Sequence, residues 1–158
     1  MGWKVDVDFR PSPIHGIGVF ARTPILAGTV IWTFDETMHA SRLTDLAALP
    51  PQRLAFALLA GYFHHPSGRF VWYEDGMQYL NHGPGAAANI GAHDWPPLES
   101  DHTMALRDIA AGEELREDYA FWSIFRLPSD HWLHGLYRDF CPEHYAFLAD
   151  IDKRRRAA

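Results

Sequence analysis

A single cysteine, Cys141, among 158 residues excludes an internal disulfide framework. It fits a reducing compartment, and a cytoplasmic location is the expectation. No apolar run approaches the ~20 residues of a membrane span. The opening MGWKVDVDF lacks the apolar core of a secretory signal. The chain therefore reads as soluble, with no membrane partner. Basic residues are scarce, 14 Lys and Arg against 20 Asp and Glu, for a formal net charge of −6. Gripping phosphates needs a basic face, so no direct nucleic-acid binding is expected. The short run Lys153 to Arg156 reads as a solvated basic tail. Apolar residues are plentiful, at 47% with 14% aromatic, enough for a core and too many for a disordered chain. Twelve Gly and eleven Pro imply many turns and short elements, which favours a β-rich α+β fold over a helical bundle.

Local pattern follows that expectation. KVDVDF alternates apolar and polar and reads as a strand, RPSPIHGIG as a turn cluster, and VFA as a renewed apolar run. GTVIWTF is rich in β-branched and aromatic residues and reads as a strand. SRLTDLAAL reads as a short helix with Ser41 near its N-cap. PQRLAFALLAGYFHH reads as a second helix with Pro51 in its first turn. RFVWYE and TMALR return to strand, with residues 78–101 irregular. HWLHGLYRDF reads as a helix, and Pro142 as the start of another short one. There is also an internal echo. ARTPILAGTVI (21–31) and ALRDIAAGEEL (105–115) share the frame Ala, Ile four residues on, then Ala-Gly, so each reads as a strand end, a turn and a new strand.

Four stretches carry polar or backbone chemistry. In His15-Gly16-Ile17-Gly18-Val19-Phe20, two glycines flanking one residue let backbone approach a ligand closely. The third glycine and following helix of a dinucleotide fingerprint are missing. Asn81-His82 sits at the edge of an apolar step and is followed by residues with almost no side chain. Gly112-Glu113-Glu114-Leu115-Arg116-Glu117-Asp118-Tyr119 is an acidic turn that ends on a tyrosine, and Phe121-Trp122 follows it. The plainer readings are a turn, a satisfied buried polar pair, a solvated acidic loop and core aromatics.

In this order and separation, HGIGVFA, ILAGTVI, YLNHG and ALRDIAAGEELREDYAFW resemble the SET domain family of protein lysine methyltransferases, over about residues 9–122. The resemblance implies a fold of several small β-sheets with a knot-like C-terminal crossing. It implies a SET domain over 1–122 with a helical insert at 41–65, and a C-terminal helical, lid-like segment with a basic tail over 123–158. It implies S-adenosylmethionine as the methyl donor, faced by His15, Gly16, Ile17, Gly18, Tyr79, Asn81, His82 and Trp122, and a lysine-containing protein as the partner. Tyr119 matches the family's catalytic tyrosine, which here would align the acceptor amine, and Glu117 and Phe121 would border the substrate channel.

The sequence departs from the family at three places. Asn-His continues as Gly83-Pro84-Gly85-Ala86-Ala87-Ala88-Asn89 where the family has Ser-Cys and then Pro-Asn, with Asn89 as the displaced counterpart of the later Asn. Glu117 stands where an aromatic commonly limits methylation. The cysteine-rich zinc segment is missing, so no metal is expected. His131, His134, Cys141 and His144 are the alternative ligand set, against a reading as helix-face histidines and a buried thiol. The competing functions are a catalytically degenerate SET module that binds a peptide or partner, and a zinc-stabilised interaction protein.

Overall fold

The computed structural model describes residues 2–36, 38–92 and 102–158. Among the described residues the fold is mixed α+β, with small sheets of four, three and three strands. The chain forms two compact units, each discontinuous in sequence: Met1–Met38 with Glu74–Asp118, and His39–Tyr73 with Tyr119–Ala158.

In the first unit, β1 (Val7–Pro11), β2 (Ile17–Ala21), β10 (Glu114–Glu117) and β7 (Asn81–His82) form a sheet in the order β1-β2-β10-β7. Pro11 can belong to β1 because β1 is an edge strand, where a missing N–H costs no ladder bond. β7 runs parallel to β10, placing Asn81 beside Arg116 and His82 beside Glu117. β3 (Val30–Thr33), β8 (Ile90–Gly91) and β9 (His102–Ala105) form the second sheet. Val19, Ile31, Trp32, Ile90, Ile109 and Leu115 are among the most deeply buried side chains of this unit.

The two echoing segments pair with each other. Ile25 and Ile109 exchange backbone hydrogen bonds at 2.9 and 2.8 Å. The Gly28 N–H donates to the Ala105 carbonyl at 2.8 Å, and the Gly112 N–H to the Ala21 carbonyl at 2.7 Å. The Ala105 N–H donates to Thr29, and the Ala21 N–H to Glu113, each at 2.9 Å. Each bond has its counterpart at the same offset along the chain, so the pairing is a local pseudo-two-fold. Gly28 and Gly112 both adopt φ +80°, a conformation that favours glycine.

In the second unit, β4 (His39–Ser41), β6 (Arg69–Trp72) and β5 (Gly61–His64) form a sheet in that order. It shares a core with α1 (Leu43–Ala47), α2 (Pro51–Ala60), α3 (Trp132–Phe140) and α4 (Pro142–Ala157). Leu46, Leu54, Leu58, Phe70, Trp72, Leu133 and Tyr137 fill it. The C-terminal helices thus pack in one core with the 41–65 segment.

Three expectations need correction. The second helix stops at Ala60, and GYFH becomes β5, paired with β6. The turn that joins them explains why: the His64 ring nitrogen lies 2.8 Å from the Ser67 hydroxyl, and Gly68 takes φ +65°. Ser41 ends β4 instead of capping α1, whose preceding residue, Arg42, makes no side-chain cap. The helix from Pro142 is long and carries the basic run. Arg154 pairs with Asp150 at 2.7 Å, and Arg156 with Asp152 at 2.7 Å, both one helical turn apart. Of the irregular 78–101 stretch, residues 93–101 lie outside the described residues. Its first part forms short 3-10 turns and the brief strands β7 and β8.

Candidate active site

The polar centre of the first unit is built on β2, β7 and β10. Asn81 is 8% exposed and its side chain is held on one side. Its Nδ2 donates to the carbonyls of His15 at 3.1 Å and Ile17 at 3.3 Å, and to Glu114 Oε1 at 2.8 Å. The Asn-His strand and the His-Gly-Ile-Gly loop, far apart in sequence, are thereby joined through one carboxamide. With its NH2 committed, Asn81 Oδ1 is the part of the amide left to accept a further hydrogen bond.

Glu114 is itself buried, and both its oxygens accept from the Ser12 hydroxyl, at 2.8 and 3.0 Å. The Ser12 oxygen in turn accepts from the Ile14 N–H at 2.9 Å. Gly18 is glycine for a steric reason. A methyl there would overlap Glu114 Oε1, lie 2.8 Å from its Cδ and 3.0 Å from the Ser12 Cβ. Gly16 takes φ +50°, and a Cβ there would meet nothing within 4 Å. The loop is open on that side, with Ile14 46% and Ile17 41% exposed.

The thin segment after His82 follows from its packing on β10. A Cβ at the buried Gly83 would come within 2.8 Å of the Ala87 carbonyl oxygen and 2.9 Å of the Arg116 Cβ. The Gly83 N–H donates to the Glu117 carbonyl at 3.0 Å. The Gly85 N–H donates to Asp118 Oδ2 at 3.1 Å, and Asp118 Oδ1 lies 3.8 Å from His82 Nδ1. The segment returns to β10 at Asn89, which is wholly buried. Its Oδ1 accepts from the Arg116 N–H at 2.8 Å, and its Nδ2 donates to the Glu114 carbonyl at 2.8 Å and to Glu113 Oε1 at 3.0 Å. Arg107, 2.6 Å from the same carboxylate, holds the Glu113 pKa down at about 2.

Each predicted site residue has a definite place. His15, Gly16, Ile17, Gly18, Asn81 and His82 belong to this polar centre or its loop, and Glu117 lies beside His82 in the parallel pairing. Tyr79 is 43% exposed with its ring edge-on to Phe9, centroids 6.0 Å apart. Tyr119, Phe121 and Trp122 belong to the second unit. There Tyr119 meets Phe147 of α4 edge-on at 6.3 Å, and Trp122 lies against Tyr62 at 4.2 Å and Phe121 at 4.7 Å. The Arg126 guanidinium lies 6.0 Å from the centre of the Phe121 ring.

Among the described residues no group of three or more His, Cys, Asp or Glu is placed to hold a metal ion. His131 Nδ1 accepts from the Leu133 N–H at 3.2 Å, and His134 meets the Tyr145 hydroxyl at 3.2 Å. The Cys141 thiol points to the Ala55 carbonyl at 3.5 Å, and His144 stacks near Tyr137. Among the described residues no helix is long and apolar enough to cross a membrane.

Sequence reasoning missed Ser12 and Glu114 as members of the site. Glu114 was marked only by its position within a matched motif, and Ser12 lies in the turn cluster just before the first of them. Glu114 and Leu115 are both buried, so no alternation of apolar and polar residues marked the carboxylate as inward-facing.

These segments are the ones by which a family can be recognised. The SET domain profile matches residues 16–120. The chain belongs to the SET domain family, and membership supports methyltransferase activity as its general class of chemistry. No curated protein matches the chain in sequence. Among solved structures, one of a candidate histone methyltransferase from Plasmodium falciparum is similar at 15% identity and a TM-score of 0.49. That match covers 73% of this chain and 94% of the other. The assignment rests on the sequence profile alone.

Proposed function

We propose that this protein transfers a methyl group from S-adenosylmethionine to a lysine side-chain amine of a protein substrate. The observation that carries the reading is the Asn81 carboxamide, tied by its NH2 to the His15 and Ile17 carbonyls and to Glu114. That arrangement leaves an acceptor oxygen beside a loop whose backbone is open at Gly16 and whose Ile14 and Ile17 side chains are exposed. The residues suit the donor, which carries an ammonium, a flat aromatic base and a sulfonium. An amide oxygen takes the ammonium, and exposed aliphatic side chains take the base.

When bound, the donor supplies an electrophilic methyl group on a positively charged sulfur. The protein's part is to present a neutral amine in line with it. Free lysine has a pKa of about 10.4, so the amine must be stripped of its proton. Burial in an apolar channel lowers that pKa, and a nearby positive charge acts in the same direction. No strong base is then required, and orientation carries most of the task. Tyr119 is assigned to orient the amine; a phenol with a pKa near 10 is a poor general base at neutral pH. Phe121 and Trp122 supply apolar wall. The overall acidic charge suits a basic, lysine-bearing substrate segment.

A non-catalytic peptide-binding module is the second reading, favoured by Glu117, since a carboxylate at the channel would hold the amine in its charged form. Calorimetric titration with S-adenosylhomocysteine tests the donor site. One-to-one binding, weakened about tenfold or more in Asn81→Ala through loss of a hydrogen bond to a charged group, is expected. An unchanged dissociation constant in that variant rejects the assigned site. Methyl transfer to protein then separates enzyme from binding module.

A further inference from the structure

We propose that Glu114, held by Ser12, is a positioning residue that fixes which way the Asn81 carboxamide faces and so determines recognition of the donor's ammonium group; this rests on the donor reading above. Three features of the molecule lead there. The shortest of the three contacts made by Asn81 Nδ2 is to Glu114 Oε1, at 2.8 Å. A carboxylate accepts and does not donate, so it admits the NH2 end of the amide and turns Oδ1 the other way. The two backbone acceptors, at 3.1 and 3.3 Å, enforce the same sense more weakly.

Second, the carboxylate is itself immobilised. The Ser12 hydroxyl donates to it, and a glycine at position 18 makes room for it under β2. Ser12 and Glu114 stand 102 residues apart in sequence, so the contact forms only in the folded sheet. Third, among the described residues no cationic side chain pairs with Glu114. Its hydrogen-bond donors are the neutral Ser12 hydroxyl and Asn81 amide. Its negative charge is therefore not cancelled locally, and it polarises the Asn81 amide so that Oδ1 is a better acceptor for a cation.

The test compares two ligands that differ in the relevant group. S-adenosylhomocysteine carries the ammonium; 5′-methylthioadenosine keeps the adenosine and the sulfur and lacks the amino-acid portion. Both are titrated by calorimetry into the wild-type chain, Glu114→Gln and Glu114→Ala. In Glu114→Ala the preference for S-adenosylhomocysteine should fall about tenfold, the loss of one hydrogen bond to a charged group, with methylthioadenosine affinity held within about twofold. Glu114→Gln keeps an acceptor at that place and should recover most of the preference. An unchanged preference overturns the proposal, and so does equal weakening of both ligands, the mark of a merely structural role. Binding of neither ligand by the wild-type chain instead rejects the donor reading. The side-chain NH2 resonances of Asn81 then decide the positioning role by themselves: unaltered shifts and proton-exchange rates in Glu114→Ala overturn it, and faster exchange upholds it.

Discussion

Replacing Asn89 with alanine removes the one side chain that completes the inner edge of β10. Two buried backbone groups lose their partner, the Arg116 N–H and the Glu114 carbonyl, each bonded to Asn89 at 2.8 Å. A buried polar group left unsatisfied costs about 1–3 kcal/mol, so the two together give about 2–6 kcal/mol. The bond to Glu113 adds less, because Arg107 and the Ala110 N–H also hold that carboxylate. With Asn89 fully buried, water has no ready path to the vacated groups. In a urea titration with a slope of about 1–3 kcal/mol per molar, a loss of ~3 kcal/mol lowers the midpoint by about 1–3 M. Circular dichroism and tryptophan fluorescence should follow the same shift. A loss below about 0.5 kcal/mol would refute the claim that Asn89 alone satisfies these groups. A double-mutant cycle with Glu113→Ala isolates the third bond, expected at about 1 kcal/mol or less.

Tyr119→Phe should lower methyl transfer by about a hundredfold through lost alignment of the acceptor amine, with S-adenosylhomocysteine affinity within about twofold; equal turnover removes Tyr119 from the mechanism. Gly18→Ala places a methyl onto Glu114 and should cost about 1–3 kcal/mol from overpacking, read as a lower urea midpoint together with weaker S-adenosylhomocysteine binding. Full retention of both would mean that the carboxylate does not occupy that space. Burial lowers the pKa of both His65 and His134 from 6.5. Below that value the unfolded chain binds more protons than the folded one, so the stability these residues contribute is present above pH 6.5 and lost as pH falls through it. The thermal midpoint should drop between about pH 7.5 and 5.5, where histidine titrates and most carboxyls do not. The paired substitution of His65 and His134 by Asn should flatten that drop, and an unaltered slope rejects the assignment.

Much of this architecture was legible from local chemistry. VIWT could form β3 because β-branched and aromatic residues suit a half-buried pleated surface. Pro51 marked the first turn of α2 because its missing N–H is not needed there. GYFH was misread because it continues an apolar run that a helix also tolerates. The deciding information lay downstream, in a turn that folds this segment back on Arg69–Trp72. The site divides in the same way. Gly18 and Asn81 were found through short motifs with characteristic neighbours. Ser12 and Glu114 were not, since each sits in a polar, turn-like stretch that by itself reads as solvent-exposed. Their burial is a property of the paired sheet and not of either segment.

The pseudo-two-fold between residues 21–29 and 105–113 has a consequence for how the chain reaches its native state. Neither half satisfies its backbone alone, because the carbonyls of Ala21, Ile25 and Thr29 accept from amides of the other half, and those of Ala105, Ile109 and Glu113 from amides of the first. The Ala27 N–H, bonded to Asp108 Oδ1, illustrates the span: the two residues are 81 positions apart. Closing a loop of that length must precede any return from the pairing, and topologies dominated by such contacts fold slowly. During synthesis, β2 would leave the ribosome with one edge unmatched until β10 emerged much later. The nascent first unit therefore presents an open strand edge until β10 emerges, a period in which it is vulnerable to pairing with another chain.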